Sequence, residues 1–422
     1  MSEITTLLRP EQRALFDAVK MCAAETNTSA YLVGGAVRDW LLGLSAIDDL
    51  DFAVQGDAIA FARNLEQTVG GEVQVHEKFN TATWSLNGVS ADLAMTRRET
   101  YAHPAALPTV EPSDIITDLR RRDYTVNAIA LRLSDGALID PHNGQRDLRE
   151  GLLRILHANS FVDDPTRILR GARYAARLGF ALEPATQAAI ETGLPHLRAL
   201  SGERVKYDLE LIFLEAQPER ALSLLFRWGV FRAMGLPVPD PERLTERFEH
   251  ARQLLAESEW PLETLGMSDA ALMRAIGWGA LVYNAGQLGI SRLVEWMPFD
   301  THVRDALVSL GALGTANSTL FRTRRSKQSE LLRDFSGLAL LLGYLFEKNA
   351  LKRKAMLCEW KDWRWVKPVT TGDDLKAKNL PPGPAYAHIL ARLRNAWLDD
   401  EVKSYADESA LLDRLIADPT LW

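Results

Sequence analysis

The sequence predicts an α+β fold, in which a small mixed head over residues 1–147 precedes a long helical remainder. Three observations carry this. Short apolar runs and two-residue hairpin signals are confined to the first part of the chain. Beyond Asp147 apolar residues recur at helical spacing, with few strand candidates. The interruptions there, at Gly179, Pro218, Pro237, Pro239 and Pro381 to Pro384, read as turns between helices rather than flexible linkers. No repeat of fixed period stands out.

Within the head the elements follow in order. Tyr31-Leu32-Val33 is a short apolar strand, and Gly34-Gly35 then opens a helix through Val37 to Leu42. Leu50 to Val54 is a strand with Asp51 on the face opposite Leu50 and Phe52. Thr83 to Leu86 and Val89 to Met95 are strands joined by Asn87-Gly88, a strong hairpin signal. Asn127 to Leu133 and Ala137 to Asp140 form a second pair across Asp135-Gly136.

Composition excludes several classes. With 422 residues, 47% hydrophobic and 25% charged, the chain has the make-up of a soluble globular protein of more than one domain. Cys22 and Cys358 are too few for a disulfide scaffold or a cysteine-based zinc site. The start, MSEITTLLRPEQ, lacks the basic and apolar regions of a signal peptide, and the apolar run Leu338 to Phe346 is too short to span a bilayer. A cytoplasmic, reducing setting without membrane contact is expected. The net charge of −7 argues against a protein that coats nucleic acid indiscriminately. Between Arg322 and Lys367, however, twelve Lys/Arg stand against five Asp/Glu, with Trp360, Trp363 and Trp365 among them. Such a stretch can track a phosphate backbone. It can equally be a solvated helix face with buried tryptophans.

The candidate site residues come in four groups. Gly34-Gly35 lies between a strand and a helix, where bare backbone N–H groups suit a phosphate, and Arg38 follows one turn in. Asp49 and Asp51, two apart on a strand, point to one face, and two close carboxylates favour a cation such as Mg²⁺ between them. The alternative is an acidic turn in which Asp48-Asp49 caps an element. Asp92 in a neighbouring strand is a possible third carboxylate or an ordinary edge-strand aspartate. In Arg121-Arg122-Asp123-Tyr124-Thr125-Val126-Asn127, two arginines precede an apolar strand; arginine forks suit a triphosphate, and by itself the motif reads more readily as a solvated patch before a strand.

The fourth group is the most specific. In Asp163-Asp164-Pro165-Thr166-Arg167, Asp164 is a good N-cap and Pro165 a favoured first helical residue. Arg167, Arg170 and Arg173 then recur every third residue, a stripe of like charges that an anion or a base edge would relieve. Aspartate accepts and arginine donates, so Asp164 with Arg167 can read a nucleobase edge. An intrahelical Asp164–Arg167 salt bridge is the plainer reading. The eight histidines form no metal-ligand pair, and no Walker-type loop or Gly-x-Ser-x-Gly is present.

In order along the chain, these residues resemble the class II tRNA nucleotidyltransferase and bacterial poly(A) polymerase family. The resemblance runs from Gly34-Gly35-Ala36-Val37-Arg38-Asp39 and Asp49-Leu50-Asp51 through Arg121 to Ala128 and Asp140-Pro141 to Gly144. Asp164 to Arg170 and Glu203-Arg204 complete it. Thr371 to Leu375 and Gly383-Pro384 look like the tail of CCA-adding members. The resemblance implies a nucleotidyltransferase head (1–147), a neck that selects the nucleotide (148–215), a body (216–320) and a tail that binds tRNA (321–422). Asp49 and Asp51 would be catalytic and hold Mg²⁺. Gly35, Arg38 and Arg122 would cradle the triphosphate of CTP or ATP. Asp164 and Arg167 would pair with the base, and Arg170 and Arg173 would contact the nucleotide or neighbouring phosphates. Arg97 to Pro108, with Arg98 and Glu99, looks like the flexible loop that terminal A addition requires. Full CCA addition to tRNA is therefore expected. A-only or CC-only addition and poly(A) synthesis are the alternatives within the family, although the loop disfavours CC-only activity. A non-catalytic RNA-binding protein would have no need of Asp49 and Asp51. A small-molecule nucleotidyltransferase would leave the arginine stripe and the helical body unexplained.

Overall fold

The computed structural model describes residues 4–44, 47, 49–77, 80–257, 259–418 and 420. Asp48, the alternative capping residue, lies outside them. The chain divides into two compact units, one of Met1–Leu209 with Leu224–Met234, the other of Glu210–Ser223 with Gly235–Trp422.

The first unit begins with α1 (Pro10–Glu25), β1 (Ala30–Val33), α2 (Gly35–Leu41), β2 (Leu50–Val54) and α3 (Ala58–Val69). β3 (Glu72–His76), β4 (Thr81–Leu86), β5 (Val89–Met95), β6 (Arg97–Thr100), β7 (Thr109–Pro112) and α4 (Ile115–Arg120) follow. Then come β8 (Ala130–Arg132), β9 (Leu138–Ile139), α5 (Gly144–Glu150), β10 (Leu152–Leu153), α6 (Ser160–Asp163), α7 (Thr166–Leu178), β11 (Ala181–Leu182), α8 (Pro184–Gly193) and α9 (Gly202–Phe213). Seven strands form one sheet in the order β3-β4-β5-β2-β1-β8-β9. All its pairings are antiparallel except β2 with β5.

Alternation along the strands explains how the sheet is covered. In β5, Ala91, Leu93 and Met95 are buried while Ser90 and Asp92 are exposed. The apolar side packs on α1 and α3, whose Leu15, Phe16, Val19, Phe61, Ala62 and Leu65 are buried. On the central strands the opposite face is also covered: Tyr31, Val33, Ala53 and Ala130 form a cluster with Ile115 and Leu119 of α4. Asp51 has the parity of Ala53, so it lies on the α4 face, at the edge of that cluster.

The elements read from the sequence are present, with local differences. The helix after the glycines ends at Leu41. The second hairpin is shorter than expected, because residues 125–127 form a 3₁₀ turn before β8. α7 starts at Thr166, one residue later than expected, although Asp164 still accepts from Thr166 N at 3.1 Å. Arg98 and Glu99, expected in a flexible loop, lie in β6, which pairs with β7 as a two-stranded ribbon. Within the expected helical part, β10 and β11 make a short parallel pair.

The rest is helical: α10 (Pro218–Arg227), α11 (Val230–Met234), α12 (Pro241–Glu257), α13 (Asp269–Val282), α14 (Gly286–Trp296), α15 (Thr301–Thr315) and α16 (Arg325–Leu332). α17 (Gly337–Phe346), α18 (Ala350–Lys361), α19 (Gly372–Ala377), α20 (Pro384–Leu398) and α21 (Tyr405–Ala417) complete it. The apolar run noted in the sequence is α17, buried along its whole length rather than lipid-facing. Among the described residues no helix is long and apolar enough to cross a membrane. The last helices share a small core of Leu375, Ile389, Leu393, Leu411, Leu412 and Leu415. Glu408, fully buried, ties this region together by accepting from Val369 N at 3.0 Å, Thr370 N at 2.6 Å and the indole of Trp397.

One contact fixes α7 in the first unit. The Tyr124 hydroxyl donates to Arg167 O at 2.8 Å, and the helix passes so close that a Cβ on Gly171 would lie 2.0 Å from that hydroxyl. Gly171→Ala should therefore destabilise the protein by about 1–3 kcal/mol through overpacking. Tyr124→Phe removes the hydroxyl, so the alanine should cost less in that background. Urea unfolding of the four combinations checks this, and an unchanged cost of Gly171→Ala would count against the contact.

Candidate active site

The site starts from a turn that tolerates no side chain. Gly34 has φ +71°, and a Cβ there would stand 3.3 Å from Arg122 Nη1 and 3.5 Å from Asp51 Oδ2. Strand register puts Asp51 opposite Val33 on one side and beside Asp92 on the other. Asp49 lies immediately before β2. Asp49 and Asp51 both line a cavity of about 480 Å³ that also takes in Gly34 and Gly35. Asp92 is not in its wall and accepts instead from Thr83 Oγ1 at 2.6 Å.

Burial pushes the Asp51 carboxyl up to about 6, against the pull of Arg122 and with added repulsion from Asp92 and Asp49. A cation between Asp49 and Asp51 would relieve that strain, so these hard oxygen donors fit Mg²⁺. Among the described residues no cluster of three or more metal-ligating side chains is present. Mg²⁺ commonly uses one or two carboxylates and completes its shell with water and substrate phosphates.

Arginines form much of the rest of the wall, several of them held by carboxylates. Arg38 is buried, donating from Nε to Asp39 at 2.7 Å and from Nη1 to Asn127 Oδ1 at 2.7 Å, with its guanidinium 5.4 Å from the Tyr174 ring centroid. Arg121 donates to Asp118 at 2.9 Å and to Glu99 at 3.0 Å. Arg122 Nη2 takes the other Asp118 oxygen at 3.1 Å, which leaves Nη1 facing Gly34 and Asp51. Asp123 accepts from Tyr124 N and Asn127 Nδ2, with Arg170 Nε 3.6 Å away.

Asp164 is the centre of the second wall. Its Oδ1 accepts from Arg204 Nη2 at 2.8 Å and Thr166 Oγ1 at 2.5 Å, and its Oδ2 from Arg170 Nη2 at 3.1 Å. Burial opposes its charge, but Arg170, Thr166, Arg167 and Arg204 together hold the carboxyl below its ordinary range. The Asp164–Arg167 pair, at 3.9 Å, is the longest of these contacts. Arg167 is only 3% exposed and instead donates to Ser160 Oγ at 2.7 Å and Arg121 O at 2.7 Å. Arg173 lines the cavity with Arg170. Among the described residues, nine arginines and six carboxylates make up the wall, an excess of positive charge suited to a polyanion. The volume suits a small ligand of nucleotide size.

Glu99 also lines the cavity, accepting from Arg97, Arg121 and the Tyr101 hydroxyl. Arg98 is not in the wall and pairs with Glu111 at the surface. The site residues absent from the sequence reading are Asp118, Glu99 as a buried acceptor, Tyr174, Arg204 as a partner of Asp164, and Asp208. Of these, Arg204 carried a signal through its place in Glu203-Arg204, and Glu99 one through the Arg97 to Pro108 segment.

Two families match the chain. The poly A polymerase head domain matches residues 30–154, and the probable RNA and SrmB-binding site of polymerase A matches residues 179–237. The A-adding tRNA nucleotidyltransferase of Geobacter sulfurreducens is 31% identical over 97% of this chain and 47% of its own length. That of Halalkalibacterium halodurans is 42% identical over 50% of this chain and 51% of its own. The chain thus spans about half the length of these relatives. The CCA-adding enzyme of Lactiplantibacillus plantarum is 27% identical over 92% of this chain and 93% of its own. Among solved structures, a CCA-adding enzyme complexed with ATP superposes with a TM-score of 0.78 at 25% identity, covering 99% of this chain and 97% of that one. The Thermotoga maritima CCA-adding enzyme complexed with tRNA gives 0.73 at 25% identity, covering 99% and 98%.

Asp208 gives the site a pH dependence. Burial pushes its carboxyl up to about 6; Asp164 adds repulsion, while Arg170 and Arg173 oppose it. A raised carboxyl favours the folded state fully only below its unfolded value, and that stability is lost as pH rises through about 6. Asp208→Asn removes the charge that is expensive above that pH. It should stabilise the protein by about 1–3 kcal/mol at pH 7.5 and by much less at pH 4.5. Thermal melts of both proteins at the two pH values check this, and an equal shift at both would refute it.

Proposed function

We propose that this chain is a tRNA nucleotidyltransferase, like the relatives and solved structures it resembles, and that it adds CCA to the 3′ end of tRNA without a nucleic-acid template. One observation carries the proposal: a single cavity has a pair of carboxylates on one wall and an arginine-held carboxylate on another. The first pair suits phosphoryl chemistry and the second suits base selection.

On this reading the acceptor's 3′-hydroxyl oxygen attacks the α-phosphorus of CTP or ATP and releases its proton to solvent, the bond from the α-phosphorus to the bridging oxygen breaks, and pyrophosphate leaves with the electron pair. Asp49 and Asp51 would hold Mg²⁺, which would supply Lewis acidity for the acceptor hydroxyl and the departing pyrophosphate. Arg38 and Arg122, with the bare backbone at Gly34 and Gly35, orient the triphosphate. Asp164 accepts from the base edge, and Arg170 and Arg173 face the nucleotide. For Arg167 to donate to a base, it must exchange its bond to Ser160 or to Arg121 O. The neck, residues 148–215, would select the nucleotide, the body would span residues 216–320, and the tail, residues 321–422, would hold the tRNA; a cytoplasmic setting goes with that reading.

A second reading, A-only addition, is favoured by the higher identity to the two A-adding relatives, 31% and 42%, than to the CCA-adding enzyme of L. plantarum, 27%. Three tRNAs separate the two: one lacking CCA, one ending in CC and one complete, each offered CTP or ATP. CCA addition requires CTP incorporation into the first and ATP into the second. A-only addition gives ATP into the second alone. Incorporation into none would refute both. Asp49→Ala and Asp51→Ala should each abolish transfer while leaving the melting curve near that of the wild type, and activity retained in both would refute the metal assignment.

A further inference from the structure

The three tryptophans among the cations of the second unit occupy different environments. Trp360 is packed against Gly337, where a Cβ would come within 2.4 Å of its ring. Its Nε1 donates to Thr264 Oγ1 at 2.8 Å, and the Arg364 guanidinium stacks 4.3 Å from its ring centroid. Trp363 is half-buried. Trp365 alone of the three is largely in solvent, 65% exposed.

That exposure is built rather than incidental. The only polar atom of the ring, Nε1, donates inward to Trp360 O at 3.1 Å, so the surface turned to water is aromatic carbon. The 3₁₀ turn that carries the ring, Trp363–Trp365, is clamped on both sides. Arg394 donates to Trp363 O at 2.9 Å and to Val366 O at 3.1 Å, and Arg364 donates to Phe335 O at 3.0 Å. A large ring held rigidly in water forgoes the stabilisation that burial gives. Preorganised, exposed aromatic faces are the means by which proteins stack unpaired bases.

Charge selects nucleic acid over protein as the occupant. The run from Arg322 to Lys367 is strongly basic, and Lys367, two residues from the ring, is exposed and makes no ion pair among the described residues. Much of the other positive charge in the run is already engaged: Arg324 and Arg325 pair with Glu401 and Asp400, Lys348 with Glu246, and Lys361 with Glu259. The surface therefore offers one flat aromatic face with modest positive charge beside it, rather than a dense phosphate track.

We propose that Trp365 is a stacking platform for a nucleobase of the RNA acceptor, so that the second unit contributes shape-tolerant base contact in addition to charge. This rests on the reading of the chain as an enzyme acting on tRNA. The test measures binding of a tRNA ending in CC to wild-type protein, Trp365→Ala and Trp365→Phe over a range of salt concentrations, with melting curves as a folding control. Trp365→Ala should weaken binding about tenfold to a hundredfold, the range carried by one base–aromatic stack. Trp365→Phe should recover most of it. The slope of log Kd against log salt should stay that of the wild type, because no phosphate contact is lost. Wild-type affinity in Trp365→Ala, or an equal loss in Trp365→Phe, would overturn the stack alone. Wild-type protein that binds no tRNA at any salt would overturn the functional reading along with it.

Discussion

The constraint on which the first unit depends is the crowding of guanidinium groups around one cavity. Left to themselves they would repel one another and splay into water. They are held chiefly by Asp118 and Asp123, which are buried, and by the half-buried Asp164. Two of these answer more than one arginine: Asp118 takes Arg121 and Arg122, while Asp164 takes Arg170 and Arg204. Because the shared acceptors come from different elements, the arginines fix the positions of α4, α7 and α9 relative to one another. Removing Asp118 would leave Arg122 without its carboxylate, and removing Asp164 would do the same to Arg204, while Arg121 and Arg170 would keep Glu99 and Asp123.

Local signals made much of this legible in the sequence. The strand before Gly34, the strand carrying Asp51 and the Asn87-Gly88 hairpin depend on neighbours a few residues apart, and they formed where expected. Bringing Asp51 beside Gly34 required only the adjacency of two strands. What stayed hidden depends on long separations in the chain. The hydrogen bond from Tyr124 to Arg167 O joins residues 43 apart, and that from Arg204 to Asp164 joins residues 40 apart. No periodicity encodes such a pair. Glu99 shows a different limit: a charged residue in a polar stretch reads as solvated, and only pairing of β6 with β7 turns it toward Arg97 and Arg121.

The basic run of the second unit combines both readings that its sequence allowed. Trp360 is packed and its neighbouring cations are partly paired, as in an ordinary helical surface. Several of their partners lie far along the chain, in residues such as Glu246, Glu259, Asp400 and Glu401, so a count of charges within the run overstates its field. Composition over a window measures the charge a segment carries. It does not measure how much of that charge reaches the solvent.

The same electrostatics bears on nucleotide choice under the proposed function. Cytosine and adenine each present an exocyclic amino donor where uracil and guanine present a carbonyl acceptor. At that one position an ionised carboxylate accepts from the amino group of the first two and opposes the carbonyl of the last two, whereas a protonated one can donate to a carbonyl and lose the distinction. Burial by itself would push Asp164 toward the protonated form. Arg170, the hydroxyl of Thr166, Arg167 and Arg204 hold it ionised instead. On that reading the arginines around Asp164 would do more than bind phosphate. By keeping one half-buried aspartate charged, they would make a wall of the cavity an acceptor able to discriminate between bases, and their stripe along α7 would serve that requirement as much as the charge of the substrate.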